Sequence, residues 1–478
     1  MNKRSSFFLR ELITVITATT LLSCNSGKEN SSVIVYPAVV GLVNCTDLTI
    51  AAGGKQIWVE NLKRPTPEDA PDWFRNVPAT QNMEVNIASF GCSGPFDLTI
   101  KANRDVSSIT VRPKSKKIPF TKNGSTFSLQ LPGPCKLYIE IDSMPPLLVF
   151  ADSVESDTPV KGDENIRIFG PGMHNPGAMT LKDNEQIYIA AGAVVYGAMN
   201  GSPKGAKVFG RGILDGSKLK QGGISLNGAS DVEFNGVTLR CGSGWQNTLS
   251  NCDRIMYRNV KILSFVPYGD GIDPVSCRDI LIDDCFFRCS DDCISVKASK
   301  MGEQEWDRSS GPDVSDIAVC NCVMAGYAFS DGFTIGFETN ATSIKNVMAK
   351  NCDILYARGD NKIGGHSAFS IICDGPAKIE NITFEDIRVE ENVLKLFELN
   401  VSDGQIYTKA PPGSIKGVRL KNIKWEREAP VILWGFNKKH LLEDISFEGC
   451  TIEGKPFEGL GYGQLKINEY VKNVKVIN

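Results

Sequence analysis

The sequence has little of what marks several classes of protein. It contains only three histidines, and 52 basic residues against 55 acidic ones give a net charge of −3. A nearly neutral chain lacks the basic excess of a nucleic-acid-binding protein, so no nucleic-acid partner is predicted. Cys320 and Cys322 are separated by one residue and have no histidine-rich segment to complete a zinc site. We therefore predict neither a bound metal nor another cofactor.

Long hydrophobic runs are missing except near the N-terminus. There a basic start is followed by the apolar run 13–22, which is too short to span a bilayer comfortably, and then by Leu21-Leu22-Ser23-Cys24. This tetrapeptide resembles a bacterial lipobox. We predict a lipoprotein signal peptide over 1–23 and a tether over 24–32, with Cys24 lipidated as the first mature residue. The alternatives are a plain secretory signal cut nearby and an unprocessed apolar N-terminus.

Export to the cell envelope follows from that prediction. The protein would lie at the outer membrane or in the periplasm and contact the membrane only through its N-terminal lipid. The sequence leaves the oligomeric state open.

Residues 33–158 contain short apolar alternations separated by clusters of proline and glycine, such as Leu48-Thr49-Ile50 and Phe96-Asp97-Leu98-Thr99-Ile100. Strands with a period of two at short, even spacing predict an antiparallel β-sandwich domain. Its role is either carbohydrate binding or a structural cap on the domain that follows. A polar stretch over 152–163 marks the boundary.

Residues 159–478 carry an irregular repeat. An aliphatic residue is followed five places later by another aliphatic residue or cysteine, usually directly after Asn, Asp or Gly. The repeats begin at Val232, Ile255, Ile280, Ile317, Val347, Ile382, Val418 and Ile445, so the steps vary from 23 to 37 residues. Short strand-like units that recur at this spacing predict an all-β solenoid, a parallel β-helix. The recurrent Asn and Asp are expected to be turn residues.

Fifteen cysteines in an exported protein would ordinarily indicate disulfides. Several of them, however, occupy equivalent positions of the repeat, where a buried cysteine stacks as a small hydrophobe. We therefore expect mostly free thiols, and a few bridges stay possible.

Three acids stand apart from the turn residues. Asp270 lies between two glycines, and Asp291 and Asp292 follow it by about one repeat, between two cysteines. Acids one coil apart on a solenoid meet on one face, and mutual repulsion raises the pKa of at least one of them. Residue types alone leave catalysis, a metal site and a merely acidic corner open. The remaining nearby acids, Asp273, Asp283, Asp284 and Asp386, are assigned to solvated turns.

At these residues the sequence resembles glycoside hydrolase family 28, the polygalacturonases. The motifs that carry the resemblance are Gly269-Asp270-Gly271-Ile272-Asp273 and Asp291-Asp292-Cys293-Ile294, with Trp245 and Asn251-Cys252 in the coil before them. The resemblance implies a right-handed parallel β-helix of the pectin lyase type over 159–478. A β-sandwich in front of it is similar to family 49, the dextranase group. It also implies an inverting hydrolysis of a polysaccharide, in which Asp291 is the general acid while Asp270 and Asp292 hold and deprotonate water.

The sequence departs from the family in its substrate-binding motifs. Asp331 stands where the polygalacturonases have the histidine of Gly-His-Gly, and no Arg or Lys lies at His366–Ile371, where the Arg-Ile-Lys motif is expected. A neutral α-glucan or another sugar therefore becomes an alternative to galacturonate. Candidate substrate-binding residues are Lys297, Asp331, Glu338, His366 and the insertion residue Trp306; ordinary packing is the alternative for each.

Two other functions compete with hydrolysis. Acid clusters on a β-helix bind Ca²⁺ well, so a calcium-dependent polysaccharide lyase is the nearest enzymatic rival, with Lys297 as the only obvious base. The second rival is a non-catalytic glycan-binding β-helix.

Overall fold

The computed structural model describes residues 32–64, 68, 71–75, 83–159, 165–219, 223–299, 311–359, 362–403, 408 and 410–477. The predicted signal peptide, Cys24 and Trp306 lie outside these residues. In the described part, no helix has the length and apolar character needed to cross a membrane.

The front part of the chain forms two sheets with a shared apolar core. Its strands are β1 (Val33–Val35), β2 (Leu48–Ala52), β3 (Lys55–Ile57), β4 (Val59–Lys63), β5 (Glu84–Cys92), β6 (Phe96–Ala102), β7 (Ile109–Arg112), β8 (Phe120–Asn123), β9 (Thr126–Leu131), β10 (Cys135–Ile141) and β11 (Leu147–Ser153), with a short helix α1 (Asp72–Arg75) and a 3₁₀ turn (Lys114–Lys116). One sheet has the order β1-β5-β11-β10-β7 with β4 also paired to β5, and the other β3-β2-β6-β9-β8.

The sandwich is antiparallel with one exception. β11 runs parallel to β5, with Leu148 opposite Ile87. Between β5 and β10 the chain contributes β6, β8 and β9 to the other sheet. β11 then follows β10 as its antiparallel neighbour, which places β11 beside β5 in the same direction. The prediction of a purely antiparallel sandwich was wrong at this pair.

The rest of the chain is built from stacked coils. Its strands are β12 (Ile166–Phe169), β13 (Gly172–Thr180), β14 (Gln186–Ile189), β15 (Ala193–Gly201), β16 (Lys207–Gly210), β17 (Ile213–Asp215), β18 (Ile224–Asn227), β19 (Ser230–Asn235), β20 (Thr238–Arg240), β21 (Asn247–Ser250), β22 (Asp253–Arg258), β23 (Lys261–Leu263), β24 (Ile272–Val275), β25 (Arg278–Asp283), β26 (Phe286–Cys289), β27 (Ile294–Ala298), β28 (Val314–Cys320), β29 (Val323–Gly326), β30 (Phe333–Thr339), β31 (Ser343–Lys350), β32 (Asp353–Ala357), β33 (Phe369–Cys373), β34 (Lys378–Glu385), β35 (Arg388–Val393), β36 (Phe397–Val401), β37 (Ser414–Lys421), β38 (Lys424–Trp425), β39 (Val431–Trp434), β40 (Leu442–Glu448), β41 (Thr451–Ile452), β42 (Lys455–Pro456), β43 (Leu465–Ile467) and β44 (Val471–Ile477), with a 3₁₀ turn (Gly459–Gly461).

Each central coil contributes three strands, and each strand pairs in parallel with its counterpart one coil later. In the coil that holds β25, β26 and β27, these strands pair with β28, β29 and β30 respectively. The predicted right-handed parallel β-helix is therefore confirmed. We call the side made by β21, β24, β27, β30, β33, β36 and β39 the third face. The predicted domain boundary falls between β11 and β12.

The repeat residues behave as predicted. Asp284, Asn321, Asn351 and Asp386 have φ between 52° and 57°, the left-handed conformation that Asn and Asp tolerate best, and each ends a strand of the coil. All 14 described cysteines are free and buried. Cys285, Cys322 and Cys352 stack inside the β-helix core, where a thiol is a compact apolar filler.

The front sheets pack against the second strand of the coils through buried charges as well as apolar contacts. Phe150 of β11 meets the ring of Phe286 at 5.1 Å between centroids. Arg240, fully buried, donates to Asp215 and to Glu60 at 2.8 Å each. Since Glu60 belongs to β4, this ion pair connects the two parts of the chain.

Candidate active site

The turns that lead into the third face bring the predicted acids together. Gly271 N donates to Asp292 O at 2.8 Å, and Cys293 N donates to Asp331 O at 3.0 Å. Asp270, Asp292 and Asp331 therefore occupy the same turn position in three successive coils. Coils stack at about 4.8 Å, so these carboxylates form a short column.

Asp291 lies immediately before this column and is 9% exposed. Its carboxylate, that of Asp292 and the His366 ring offer ligand atoms that lie within 4.8 Å of one another. The separation of about 4–7 Å expected among Asp270, Asp291 and Asp292 stays a prediction.

His366 reaches this cluster from the coil after Asp331. Its Nδ1 lies 3.3 Å from Asp292 Oδ1 and 3.5 Å from Asp331 Oδ2, and Phe329 packs on the ring at 4.1 Å. Burial opposes a charge on the imidazole, but Asp292 and Asp331 outweigh it and hold the pKa of His366 well above its ordinary value. His366 thus contacts Asp331, the residue that stands at the histidine position of the Gly-His-Gly motif.

The side chain of Asp331 is held by hydrogen bonds from residues at the start of β33, just after His366. Its carboxylate accepts hydrogen bonds from Ser367 N, from Ser367 Oγ at 3.1 Å and from Ser370 Oγ at 3.0 Å. Its own N–H donates to Asp292 Oδ1 at 2.7 Å. Asp331 therefore fixes the orientation of both His366 and Asp292.

Lys297 neutralises the other side of the cluster. Its Nζ lies 3.2 Å from Glu338 Oε2 and 3.7 Å from Asp270 Oδ2. It also lies over the Trp245 ring, 4.2 Å from the centroid. Burial alone would lower the pKa of Lys297, but the surrounding carboxylates raise it, so the amine stays charged.

Asp273 was wrongly assigned to a solvated turn. It is fully buried in β24, with Oδ1 at 3.9 Å from Lys297 Nζ. Burial, followed by the charge of Asp270, raises its pKa well above the ordinary value. The alternation of β24 points Ile272 into the core, so Asp273 faces the site. Asp283 was also misassigned, since it is buried and accepts a 2.7 Å hydrogen bond from Asn321. The turn assignment holds for Asp284 and Asp386.

Burial is the largest cause of the raised pKa values in this cluster. Burial, together with the charges of Asp270 and Asp292, raises the pKa of Asp291 well above its ordinary value. Burial raises the pKa of Asp270 to about 7, although Lys297 opposes the rise. Like charges this close cannot all ionise, so the cluster can hold a proton on one carboxyl while another remains charged.

Comparison with known proteins identifies the family of this chain. The model of glycosyl hydrolases family 28 matches residues 153–460. The chain belongs to that family. It is thus a glycosyl hydrolase by descent, and the matched residues include the whole acid cluster.

The individual relatives are more distant. A "Probable polygalacturonase" of Vitis vinifera is 33% identical over 77 residues, and the match spans only 16% of this chain and 16% of that one. Dex49A from Penicillium minioluteum has a TM-score of 0.63 at 16% identity over 93% of this chain and 96% of that one. A family 28 exopolygalacturonase of Yersinia enterocolitica has a TM-score of 0.49 at 13% identity, again over 93% and 96%. The coverage of Dex49A extends the shared fold to the front sheets.

The sequence identified most of the clustered residues but not all of them. Lys297, Asp331, Glu338 and His366 lie in the cluster or contact it directly. Trp245 was quoted only for its position in the coil before the first motif, and its place over Lys297 was missed. Asp374, buried after β33, carried no sequence signal because a single acid after a strand is indistinguishable from a turn residue.

Proposed function

We propose that this chain hydrolyses glycosidic bonds of a polysaccharide by a single displacement that inverts the anomeric carbon. The arrangement that supports this most directly is that of Asp291, whose pKa burial raises, beside Asp292 and Asp270, which His366 and Lys297 approach to 3.3 Å and 3.7 Å. Glycosidic cleavage needs one acid to protonate the leaving oxygen and one base to activate water.

In this proposal each acid has one task. Asp291 donates its proton to the glycosidic oxygen, and the bond from that oxygen to the anomeric carbon breaks. Asp270 and Asp292 hold a water molecule whose oxygen attacks the same carbon, and one of them accepts the proton the water loses. The products carry one new hydroxyl on each side of the broken bond.

The short distance between acids is compatible with inversion. Inverting enzymes usually separate acid and base by about 6.5–9.5 Å so that water fits between them. In this proposal Asp270 and Asp292 bind the water together on one side of the sugar. The water therefore does not have to fit between the acid and the base, and a short distance between the carboxylates does not exclude inversion.

Lys297 and His366 act as positioning residues. Lys297 lies 3.7 Å from Asp270 and favours its ionised form, while His366 lies 3.3 Å from Asp292 and holds that side chain in place. Neither residue has to transfer a proton for the reaction to proceed.

A screen for new reducing ends on neutral and anionic polysaccharides tests the proposal, with Asp291→Asn run beside the wild type. The amide keeps the shape but removes the proton donor, so turnover on the active substrate should fall at least about a hundredfold. Asp142→Asn, at an acid in the front sheets that hydrogen-bonds Ser107 and Ser108, is the control. Equal activity of wild type and Asp291→Asn on every active substrate rejects the assignment.

The carboxylates of Asp291 and Asp292 keep a calcium-dependent lyase as the second candidate, because their oxygens lie close enough to share an ion. That reaction would yield unsaturated products that absorb in the ultraviolet and would stop in EDTA. Saturated products unaffected by EDTA favour hydrolysis. Binding without any cleavage would instead identify a glycan-binding β-helix.

We also propose that residues 33–158 form a domain that caps the solenoid rather than a carbohydrate-binding module. The support is the buried contact with the coils, in which Arg240 joins Asp215 to Glu60 of β4. Removing this part of the chain would uncover apolar side chains on the second strands of the coils, such as Phe286 of β26.

For the location of the protein, we propose export and a lipid on Cys24, on the strength of the lipobox-like segment. Mass spectrometry of the protein from its native membrane should find a diacylglyceryl group on an N-terminal Cys24. An unmodified N-terminus at another residue rejects the proposal.

A further inference from the structure

A groove of about 290 Å³ lies on the third face beyond the acid cluster. Its walls include Phe337, Ile363, Asp374, Asn400, Trp434 and Phe436. These residues come from the coils of β30, β33, β36 and β39, so the groove runs along the solenoid axis. We call it the aromatic groove.

Asp374 is the unusual member of the aromatic groove. It is 2% exposed, and its Oδ1 accepts hydrogen bonds from Thr339 N at 3.0 Å and Thr339 Oγ1 at 3.1 Å. Its buried Oδ2 has no hydrogen-bond partner among the described residues. A buried carboxylate oxygen without a donor costs free energy, which a hydroxyl group of a bound ligand would recover.

Aromatic side chains supply the apolar part of the groove. Phe436 is 38% exposed, and Phe337 and Trp434 are half-buried. Flat apolar faces beside a few convergent hydrogen-bonding groups form a typical small-ligand site. A pyranose ring matches this combination, since its C–H face packs on an aromatic ring while its hydroxyls point sideways to acceptors.

The charge of the groove restricts the kind of sugar. Its only charged lining residues in the described chain are Asp374 and Asp403, both acids. The two buried lysines of this face are already paired, Lys297 with Glu338 and Lys395 with Glu398. A sugar carboxylate in this groove would lie near Asp374 and Asp403, and none of the described lining residues is a cation. Like-charge repulsion therefore disfavours binding of an anionic sugar.

We propose that the aromatic groove is a sugar subsite that binds an uncharged pyranose of the polysaccharide, with Asp374 accepting its hydroxyl and Trp434 packing on its ring. Phe337 directly precedes Glu338, the partner of Lys297, so one wall of the groove adjoins a residue that contacts the acid cluster. β33 is two strands beyond β27 on the third face, which puts Asp374 about 10 Å along the axis from Lys297. The inference rests on the proposed function, because it treats groove and acids as parts of one cleft.

The test measures equilibrium binding to the full chain carrying Asp291→Asn, in which cleavage is suppressed. The probes are tetragalacturonide, its fully methyl-esterified form and isomaltotetraose, titrated by calorimetry. The first two share their sugar and linkage and differ by the methyl ester that removes the charge, so they separate recognition of the sugar from recognition of its carboxylate. Trp434→Ala and Asp374→Asn are introduced singly, and Phe120→Ala, at an exposed aromatic of the front sheets, is the matched control.

We expect a neutral probe to bind more tightly than tetragalacturonide, and Trp434→Ala to weaken that binding at least about tenfold. Phe120→Ala should leave binding unchanged. The proposal is overturned if no neutral probe binds, if both groove variants bind like the parent, or if tetragalacturonide binds best and depends on Trp434. Failure of the hydrolysis proposal is separate, since it appears as full turnover by Asp291→Asn whatever the binding data show.

Discussion

Replacing Lys297 with methionine should move the acidic limb of the pH–activity profile to higher pH. The ammonium lies 3.7 Å from Asp270, a distance at which two charges interact by about 4 kcal/mol at an effective dielectric constant near 20. That corresponds to about 3 pKa units. Lys297 also pairs with Glu338, so Asp270 feels only part of this interaction, and we expect loss of the ammonium to raise the pKa of Asp270 by at least about 1.

The sign follows from the role of Asp270. Its pKa is raised by burial to about 7 against the opposing charge of Lys297, so loss of that charge raises the pKa further. Asp270 then ionises only at higher pH, and kcat/KM at pH 6 should fall at least about tenfold and recover as the pH increases. Asp291 stays protonated in the variant, because Lys297 also lowers its pKa in the wild type.

The assay is kcat/KM against pH for the wild type, Lys297→Met and the surface control Lys475→Met. Circular dichroism must first establish that Lys297→Met folds, since a buried carboxylate left without its cation costs about 3–5 kcal/mol. A folded variant whose acidic limb coincides with that of the wild type would refute the reasoning.

Three further predictions concern other buried groups. Asp273→Asn should keep activity and unfold no more easily in urea at pH 7, because burial already holds the carboxyl protonated, whereas Asp273→Ala should be less stable. His366→Gln should destabilise the protein more at pH 6 than at alkaline pH. The raised pKa of His366 gives a stabilisation that is present in full below about pH 6.5 and is lost as the pH rises through the pKa of the folded protein. A loss of stability in urea unfolding that is the same at every pH would contradict this prediction. Arg240→Met should cost about 3–5 kcal/mol in chemical unfolding because it strands the buried carboxylate of Glu60 and leaves Asp215 with Arg64 as its only cation. Arg254→Met, at an exposed pair, should cost about 0–1 kcal/mol. Similar losses for both would remove the ion pair as a link to the front sheets.

The repeat made most of the solenoid predictable. Each aliphatic pair with its Asn or Asp recurs once per coil, and the turn conformation of Asp284 and Asp386 follows from local chemistry. The direction of β11 was not predictable in this way, because the alternation of a strand is the same whether its neighbour is parallel or antiparallel.

The site was only partly predictable for a similar reason. Asp270, Asp291 and Asp292 could be placed together because one coil separates them. Asp273 looks like any polar residue after a glycine turn, and its burial depends on Lys297 arriving from the next coil and Trp245 from the coil before. Contacts of that kind join residues of different coils, which no local pattern records.

The configuration of the first product tests the central claim most directly. Proton NMR of the reaction, recorded faster than the sugar mutarotates, reports which anomer is released. If Asp291 is the acid while Asp270 and Asp292 share the attacking water, the new reducing end appears with the configuration opposite to that of the cleaved bond. Release of the retained anomer would instead require a covalent intermediate on one of these carboxylates and would contradict the account.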